Sequence, residues 1–386
     1  MRKGLRVFDA DGHTIDPFDL YDRYLEDSYR DRVKRLEVPT SPMPIYEVDG
    51  VATLQLSVDN SSKPAVQYKS WSPEGMIERF GEVARRGFDG AGVADALGKE
   101  GVEACVIYGP GYDFWIDGID PKLAGAMARA YCRWLVDYGA ASGGRILGAA
   151  PLPIQDVDEA VAVLRWAHDE LGLRAFWCRP NLMGGRSLGD PAYDTLYAAL
   201  EELDAPLGLH GFMGSNLPSA GKDRFSRNVD LHVCEHPMEL QMAMLAMLVE
   251  GVFERFPGLR VGFLEGGAAW VPWWLERIEE HFEMVDWNAT QGLSLRPVEY
   301  FRRNCFVTTE CDEQLLHQVI EVIGDERILF ASDYPHPDAH YPGFVDTFLE
   351  LPKLSRESKR KILWDNSLAF YGLDASELPV PVAGDD

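Results

Sequence analysis

The chain has 386 residues, 46% hydrophobic and 26% charged, an ordinary globular composition with enough length for a large buried core. Lys and Arg number 37 against 62 Asp and Glu, a formal charge of -25, which argues against nucleic-acid or anionic-membrane partners. The six cysteines lack CxxC spacing and read as reduced, mostly buried thiols of a cytoplasmic protein. No apolar run approaches the ~18 residues of a membrane span, and no signal-type core follows Met1 to Leu5.

Taken in order, Leu5–Asp9 is a short apolar strand that runs into Asp9-Ala10-Asp11-Gly12-His13. Asp16-Pro17 opens a turn and an amphipathic stretch over Leu20–Tyr29. Residues 36–75 carry Pro, Ser, Gly and Asp with local alternation, a β-rich insertion that serves as a lid or as a surface loop. From residue 92 the chain alternates. Strands over Glu103–Tyr108, Ile146–Leu152, Arg174–Cys178 and Pro206–Leu209 are separated by helices over Lys122–Gly139, Asp156–Leu171 and Tyr193–Leu203.

A long connection follows His210. It holds Gly214-Ser215-Asn216 and a Met-rich helix expected from Pro237 to Phe256, with His236 at its entry. Strands over Arg260–Leu264, Cys305–Thr309 and Ile328–Ala331 alternate with helices over Trp270–Met284 and Glu313–Ile323. Closing helices lie over Ser355–Leu363 and Asn366–Tyr371. Residues 1–375 form one barrel, and 376–386 a frayed tail.

Eight strands, mostly followed by helices, imply parallel pairing and right-handed crossovers, and so a distorted (β/α)8 TIM barrel with an insertion after its first strand. A doubly wound open sheet is the rival. It wants a Gly-rich phosphate loop, of which Gly109-Pro110-Gly111 is a poor version.

Polar residues recur at the strand ends: Asp11 and His13, Arg179, His210, Glu265, Glu310 and Asp333. In a closed barrel they ring one mouth, where two histidines and several carboxylates suit a divalent ion. Such an ion lowers the pKa of bound water to about 7. Asp11 and His13 are spaced i, i+2, so on extended backbone both face one side. Each of these residues also has a local reading: Asp11 and Asp333 as turn caps, His210 as a satisfied core residue. Arg179 is either a bidentate clamp on a substrate carboxylate or a salt-bridge partner of a barrel-end acid. His336, fixed between Pro335 and Pro337, and His236 are candidate acids or supporting groups. The Met-rich helix and Trp270-Val271-Pro272-Trp273-Trp274 suit core or subunit packing, and a homodimer or higher homo-oligomer is expected.

Together these motifs resemble the amidohydrolase superfamily: Asp-x-Asp-x-His after strand one, Leu209-His210-Gly211, the run from Phe256 to Gly267, and Ser332-Asp333-Tyr334-Pro335-His336. They are most similar to its branch that includes aminocarboxymuconate-semialdehyde decarboxylase, with related decarboxylases and hydrolases. The resemblance runs from residue 5 to about residue 372. It implies one catalytic divalent ion, Zn, Mn, Mg or Fe, held by Asp11, His13, His210 and Asp333. Asp11 stands where the family has His, a hard oxygen donor that moves preference from zinc toward Mn, Mg or Fe. Glu265 stands where the decarboxylases have a catalytic His, and is a ligand, a base or a partner of a neighbouring His.

The leading expectation is a metal-dependent hydrolase of a small organic acid, amide, lactone or ring-cleavage product. Asp333 or Glu265 is its base, His336 or His236 its acid, and Arg179 orients substrate. Non-oxidative decarboxylation of an aromatic or unsaturated acid is the alternative, and a barrel that only binds partners is a third reading.

Overall fold

The computed structural model describes residues 1–39, 41–53, 72–109, 115–212, 217–225, 227–285 and 292–379. Short strands buried almost throughout are the signature of a sheet covered on both faces, and the described residues hold eight. They are β1 (Phe8–Gly12), β5 (Ala104–Ile107), β6 (Ile146–Pro151), β7 (Ala175–Cys178), β8 (Leu207–His210), β9 (Val261–Leu264), β10 (Cys305–Thr309) and β11 (Ile328–Phe330). They pair in parallel in that order as one eight-stranded sheet. The remaining strands, β2 (Val33–Leu36), β3 (Ile45–Val48) and β4 (Val51–Ala52), form an antiparallel sheet inserted after β1.

Backbone beyond β11 closes the barrel onto β1. Asp333 N donates to Asp11 O at 3.1 Å, and His13 N donates to Tyr334 O at 2.7 Å. The buried Asp9 carboxylate clamps the same seam: Oδ1 accepts from Ser332 N at 3.0 Å, and Oδ2 accepts from the Ser332 hydroxyl. The first and last strands therefore meet, and the distorted (β/α)8 TIM barrel is the fold. Capped helices cover it outside. Asp120 and Asp156 accept from Lys122 N and Glu159 N at the starts of helices Pro121–Ala141 and Val157–Asp169.

Three expectations need correction. The first strand is Phe8–Gly12, not Leu5–Asp9. Arg2 and Leu5 form a tight bridge around Lys3 and Gly4, both at positive φ, so the extended run starts later and carries Asp11 within it. The antiparallel insertion begins at Val33, ahead of residue 36. Its continuation at 54–71 lies outside the described residues, as do Gly214-Ser215-Asn216, Pro110-Gly111 and the tail from 380.

The third correction matters most for function. The Met-rich helix spans Asn228–Val249, with Pro237 inside it. Proline lacks the N–H that would reach the carbonyl of Val233. Val233 is 68% exposed, at a part of the helix facing solvent, and buried Leu240, Met244 and Met247 anchor the rest of it. Tertiary packing thus overrides the rule that places proline in a first turn. The helix runs nine residues further toward its N-terminus than expected and carries two histidines on consecutive turns. Among the described residues, no helix is long and apolar enough to cross a membrane, and all six cysteines are unpaired.

Candidate metal centre at the barrel mouth

The side chains of interest leave the C-terminal ends of the strands, the face where barrel active sites collect. Asp11 ends β1 with His13 just beyond, His210 is the last residue of β8, Glu265 follows β9, and Asp333 and His336 follow β11. Backbone geometry is unusual at two of them. Glu265 and Asp333 adopt φ of 56° and 54°, left-handed values that cost a non-glycine residue energy and persist where the surroundings impose them. At Glu265 the backbone N–H donates to Thr308 Oγ1 at 3.0 Å. Next to it, Glu313 accepts from Ala268 N at 2.8 Å and Ala269 N at 2.5 Å, fixing the Gly266-Gly267 turn.

Hydrogen bonds aim the two imidazoles. His13 Nδ1 lies 2.8 Å from Tyr108 O, and His210 Nδ1 lies 2.7 Å from Gly211 O. A carbonyl only accepts, so each Nδ1 carries the proton and each Nε2 offers a lone pair. Stacked Tyr108, 5.6 Å away, and edge-on Trp177 hold the His210 ring.

Those lone pairs converge on carboxylates. His13 Nε2 is 3.8 Å from Asp11 Oδ1 and 3.1 Å from Asp333 Oδ1; His210 Nε2 is 3.6 Å from Asp11 Oδ1 and 2.7 Å from Glu265 Oε2. Asp11, His13 and His210 form one group with metal-ligand spacing. His13, Glu265, Asp333 and His336 form a second that overlaps it. Asp11 Oδ1, His13 Nε2 and His210 Nε2 are buried and accept no hydrogen bond, and Asp333 Oδ1, beside them, meets His336 Nδ1. Orphaned buried polar atoms cost ~1–3 kcal/mol each, more when charged. Three of them facing one another, with Asp333 Oδ1 3.1 Å from His13 Nε2, fit a cation that accepts four lone pairs. The donor set, two imidazoles and two carboxylates, suits Mn, Fe or Zn.

Electrostatics agree. Burial lifts the Asp11 carboxyl well above its usual range, and Glu265 and Asp333 add to the rise while His13 opposes it. Burial also pushes Asp333 up, but the charge on His336 overcomes this and holds it at about 2. His336 Nδ1 lies 2.6 Å from Asp333 Oδ1, and its ring stacks on His13 at 3.9 Å. Burial lowers the His336 pKa, yet the Asp333 charge raises it well above normal, favouring the imidazolium. For Glu265, burial raises the pKa, but His236 and His210 bring it well below the usual range.

The structure brings Asp11, His13, His210, Glu265, His236, Asp333 and His336 to one mouth. Arg179 is near enough for its charge to act on Glu265 and His236, but other groups hold its guanidinium. It is 0% exposed, with its guanidinium on Glu235 Oε1 at 3.1 Å, Asn181 Oδ1 at 3.2 Å and Phe212 O at 2.5 Å. This is a salt bridge, to an acid of the helix Asn228–Val249 and not of the barrel end. His236 lies in the middle of its helix, 3.4 Å from Glu265 Oε1, and burial lowers its pKa to about 3. It approaches so closely because position 211 is glycine: a Cβ there would meet the His236 ring at 2.9 Å.

Sequence reasoning missed His232. It sits one turn before His236, with Nε2 3.8 Å from Glu265 Oε1 and 3.5 Å from Asp338 Oδ2. Its i, i+4 spacing to His236 was the available signal, hidden by starting the helix at Pro237.

Comparison with known proteins agrees with this geometry. The chain is 28% identical over 234 residues to 2-amino-3-carboxymuconate-6-semialdehyde decarboxylase of Dictyostelium discoideum, covering 60% of this chain and 63% of that protein. It is 28% identical over 251 residues to gamma-resorcylate decarboxylase of Rhodococcus jostii (strain RHA1), covering 60% and 71%. The chain thus spans less than two thirds of the first relative's length. Among solved structures, an amidohydrolase from Mycobacterium avium subsp. paratuberculosis K-10 superposes with a TM-score of 0.73 at 22% identity, covering 96% of this chain and 100% of that one. A dihydroxybenzoic acid decarboxylase from Polaromonas sp. JS666, solved with manganese and 2-nitroresorcinol, gives 0.65 at 19% identity, covering 95% and 97%. At such identities the likeness is one of fold. The amidohydrolase family model matches residues 119–373, about two thirds of the sequence, and the chain belongs to the amidohydrolase family.

Proposed function

We propose that the chain is a divalent-metal-dependent, non-oxidative decarboxylase of an aromatic or unsaturated carboxylic acid. The observation that carries this reading is the convergence of donor atoms from Asp11, His13, His210 and Asp333, three of them without a hydrogen bond, beside an imidazole on Asp333. The similarity to decarboxylases supports this reading over hydrolysis.

The ion held by those four residues supplies Lewis-acid polarisation of a bound substrate oxygen. The chain's own residues do the rest. Asp333 keeps His336 protonated and points it into the mouth. The His336 imidazolium gives its proton to the carbon that bears the carboxylate. The carbon–carboxylate bond then breaks, its electron pair returns to the unsaturated system, and CO2 leaves. His336 is 19% exposed and regains a proton from solvent. Glu265, 2.7 Å from His210 Nε2, sets a carboxylate beside the donor atom of that imidazole.

Hydrolysis, the first expectation from the sequence, becomes the second reading. One observation favours it: Glu265 places a largely buried carboxylate at the mouth, 2.7 Å from His210 Nε2, where it could take a proton from water. A substrate panel separates the two. Hydroxybenzoic and muconic-type acids are assayed for CO2 release on the Mn2+-loaded chain, and amides and lactones for acid formation. CO2 release from at least one acid is expected, abolished by Asp333→Ala. Acid formation without CO2 release would transfer the assignment to hydrolysis, and neither reaction would leave a binding barrel. The homo-oligomer belongs to the same proposal and is read by light scattering.

A further inference from the structure

A third group of ligating side chains stands beside the first two: His232, His236 and Glu265. The two histidines are four residues apart on the helix Asn228–Val249, so they share a face, and their ring centroids are 4.4 Å apart. Both present Nε2 to the same oxygen, Glu265 Oε1, at 3.8 and 3.4 Å. Donors bound to one tetrahedral divalent ion at ~2.1 Å sit about 3.4 Å from one another. The spacing therefore suits a shared ion. Asp338 Oδ2, 3.5 Å from His232 Nε2, is within reach as a fourth donor.

Glu265 divides its oxygens. Oε1 faces His232 and His236, while Oε2 lies 2.7 Å from His210 Nε2 in the neighbouring group. Asp11, Glu265, Asp333 and Asp338 bring four carboxylates to one mouth, a charge that bound cations and imidazolium groups balance.

We propose that His232, His236 and Glu265, with Asp338, form a second divalent-cation site, and that Glu265 bridges it to the site of Asp11, His13, His210 and Asp333. The inference goes beyond the proposed function and rests on it only for the first ion. The second ion gives the mouth a place for an acidic oxygen of the substrate, a carboxylate or a phenolate. With Glu265 and His236 committed as ligands, proton donation stays with His336.

The test counts ions on the full-length chain. The protein is loaded with Mn2+, desalted, analysed for manganese per chain, and examined by low-temperature EPR. Two manganese per chain and an exchange-coupled spectrum are expected, because a carboxylate bridge couples the spins. His232→Gln should drop the count to one and leave an uncoupled six-line signal. Asp11→Asn should remove the other ion and also abolish coupling. Asp338→Asn, a milder change, should weaken the second Mn2+ by about 10- to 100-fold. Circular dichroism checks that each variant is folded, and His232, 23% exposed, tolerates replacement.

One manganese per chain, retained in His232→Gln and lost in Asp11→Asn, would overturn the second site and leave the first intact. His232 would then be an imidazolium paired with Glu265 and Asp338. Two ions that both survive His232→Gln and Asp338→Asn would also overturn it. No manganese in the native chain would sink both sites.

Discussion

At the scale of single residues, burial decides which ionisable groups stay charged. Asp9 is buried against Ser332, and burial raises its carboxyl to about 6 although three hydrogen bonds resist the rise. Glu239, one turn beyond His236 on the same helix and outside the groups with metal-ligand spacing, shows the same effect. Burial lifts its carboxyl to about 7, with the Ala220 N–H bond at 2.6 Å opposing and the Glu235 charge assisting. Between about pH 4.5 and pH 7 the folded chain then keeps a proton that the unfolded chain has released. The stability contributed by that proton is present at low pH and falls as pH rises through this window. Glu239→Gln keeps an acceptor for Ala220 and removes the titration. The variant should lose less stability than the parent between pH 5 and pH 7.5, by on the order of 1–2 kcal/mol in urea unfolding. Parallel curves for the two proteins would refute the assignment.

Elements position the site as much as ligands do. The helix Pro73–Phe80 follows the inserted sheet and sends Arg79 to the loop beyond β11. Its guanidinium donates to the carbonyls of His336, at 3.3 Å, Pro337 and Ala339. The segment that carries His336 is therefore tied to the insertion rather than to the barrel alone. Arg79→Ala should lower kcat by up to about 100-fold, because small displacements of a reacting group cost that much. Manganese held by Asp11, His13, His210 and Asp333 should stay, since Arg79 bonds to none of those residues. Unaltered turnover would mean that the loop holds His336 without help.

For the whole molecule, the first and last strands depend on one seam. Asp11, His13 and Asp333 lie on it, so an ion there cross-links residues more than 300 positions apart. A ligand that binds only the folded state adds about 2.7 kcal/mol at one hundred times its Kd. Chelation with EDTA should therefore lower Tm by roughly 5 °C or more, and added Mn2+ should restore it. Acid should act like the chelator, since protons compete for the carboxylates and imidazoles. A Tm indifferent to EDTA and Mn2+ would count against an ion at the seam.

Much of this was legible from the chain. Buried parallel strands are short apolar runs, and each ends where a polar residue meets a turn; both are local features. Cys305–Thr309 appears as expected, and His210, Glu265 and Asp333 stand at the rim to which their strand ends assign them. The late start of β1 was hidden because the tight bridge of Arg2 to Leu5 is built from residues that read as extended. The helix N-terminus was hidden because Pro237 marks a first turn by local rules, whereas packing of Leu240, Met244 and Met247 carries the helix past it. That one boundary concealed His232.

The sequence by itself determined the alternation, the barrel and the residue types at its mouth, because hydrophobic period and strand ends are properties of neighbours in the chain. Tertiary structure alone decided the partners. Arg179 meets Glu235, Glu265 divides its oxygens between His210 and the pair His232 and His236, and His336 rests on Asp333. Those choices depend on distances between segments far apart in sequence, and on burial that leaves a charge no option but the nearest opposite one.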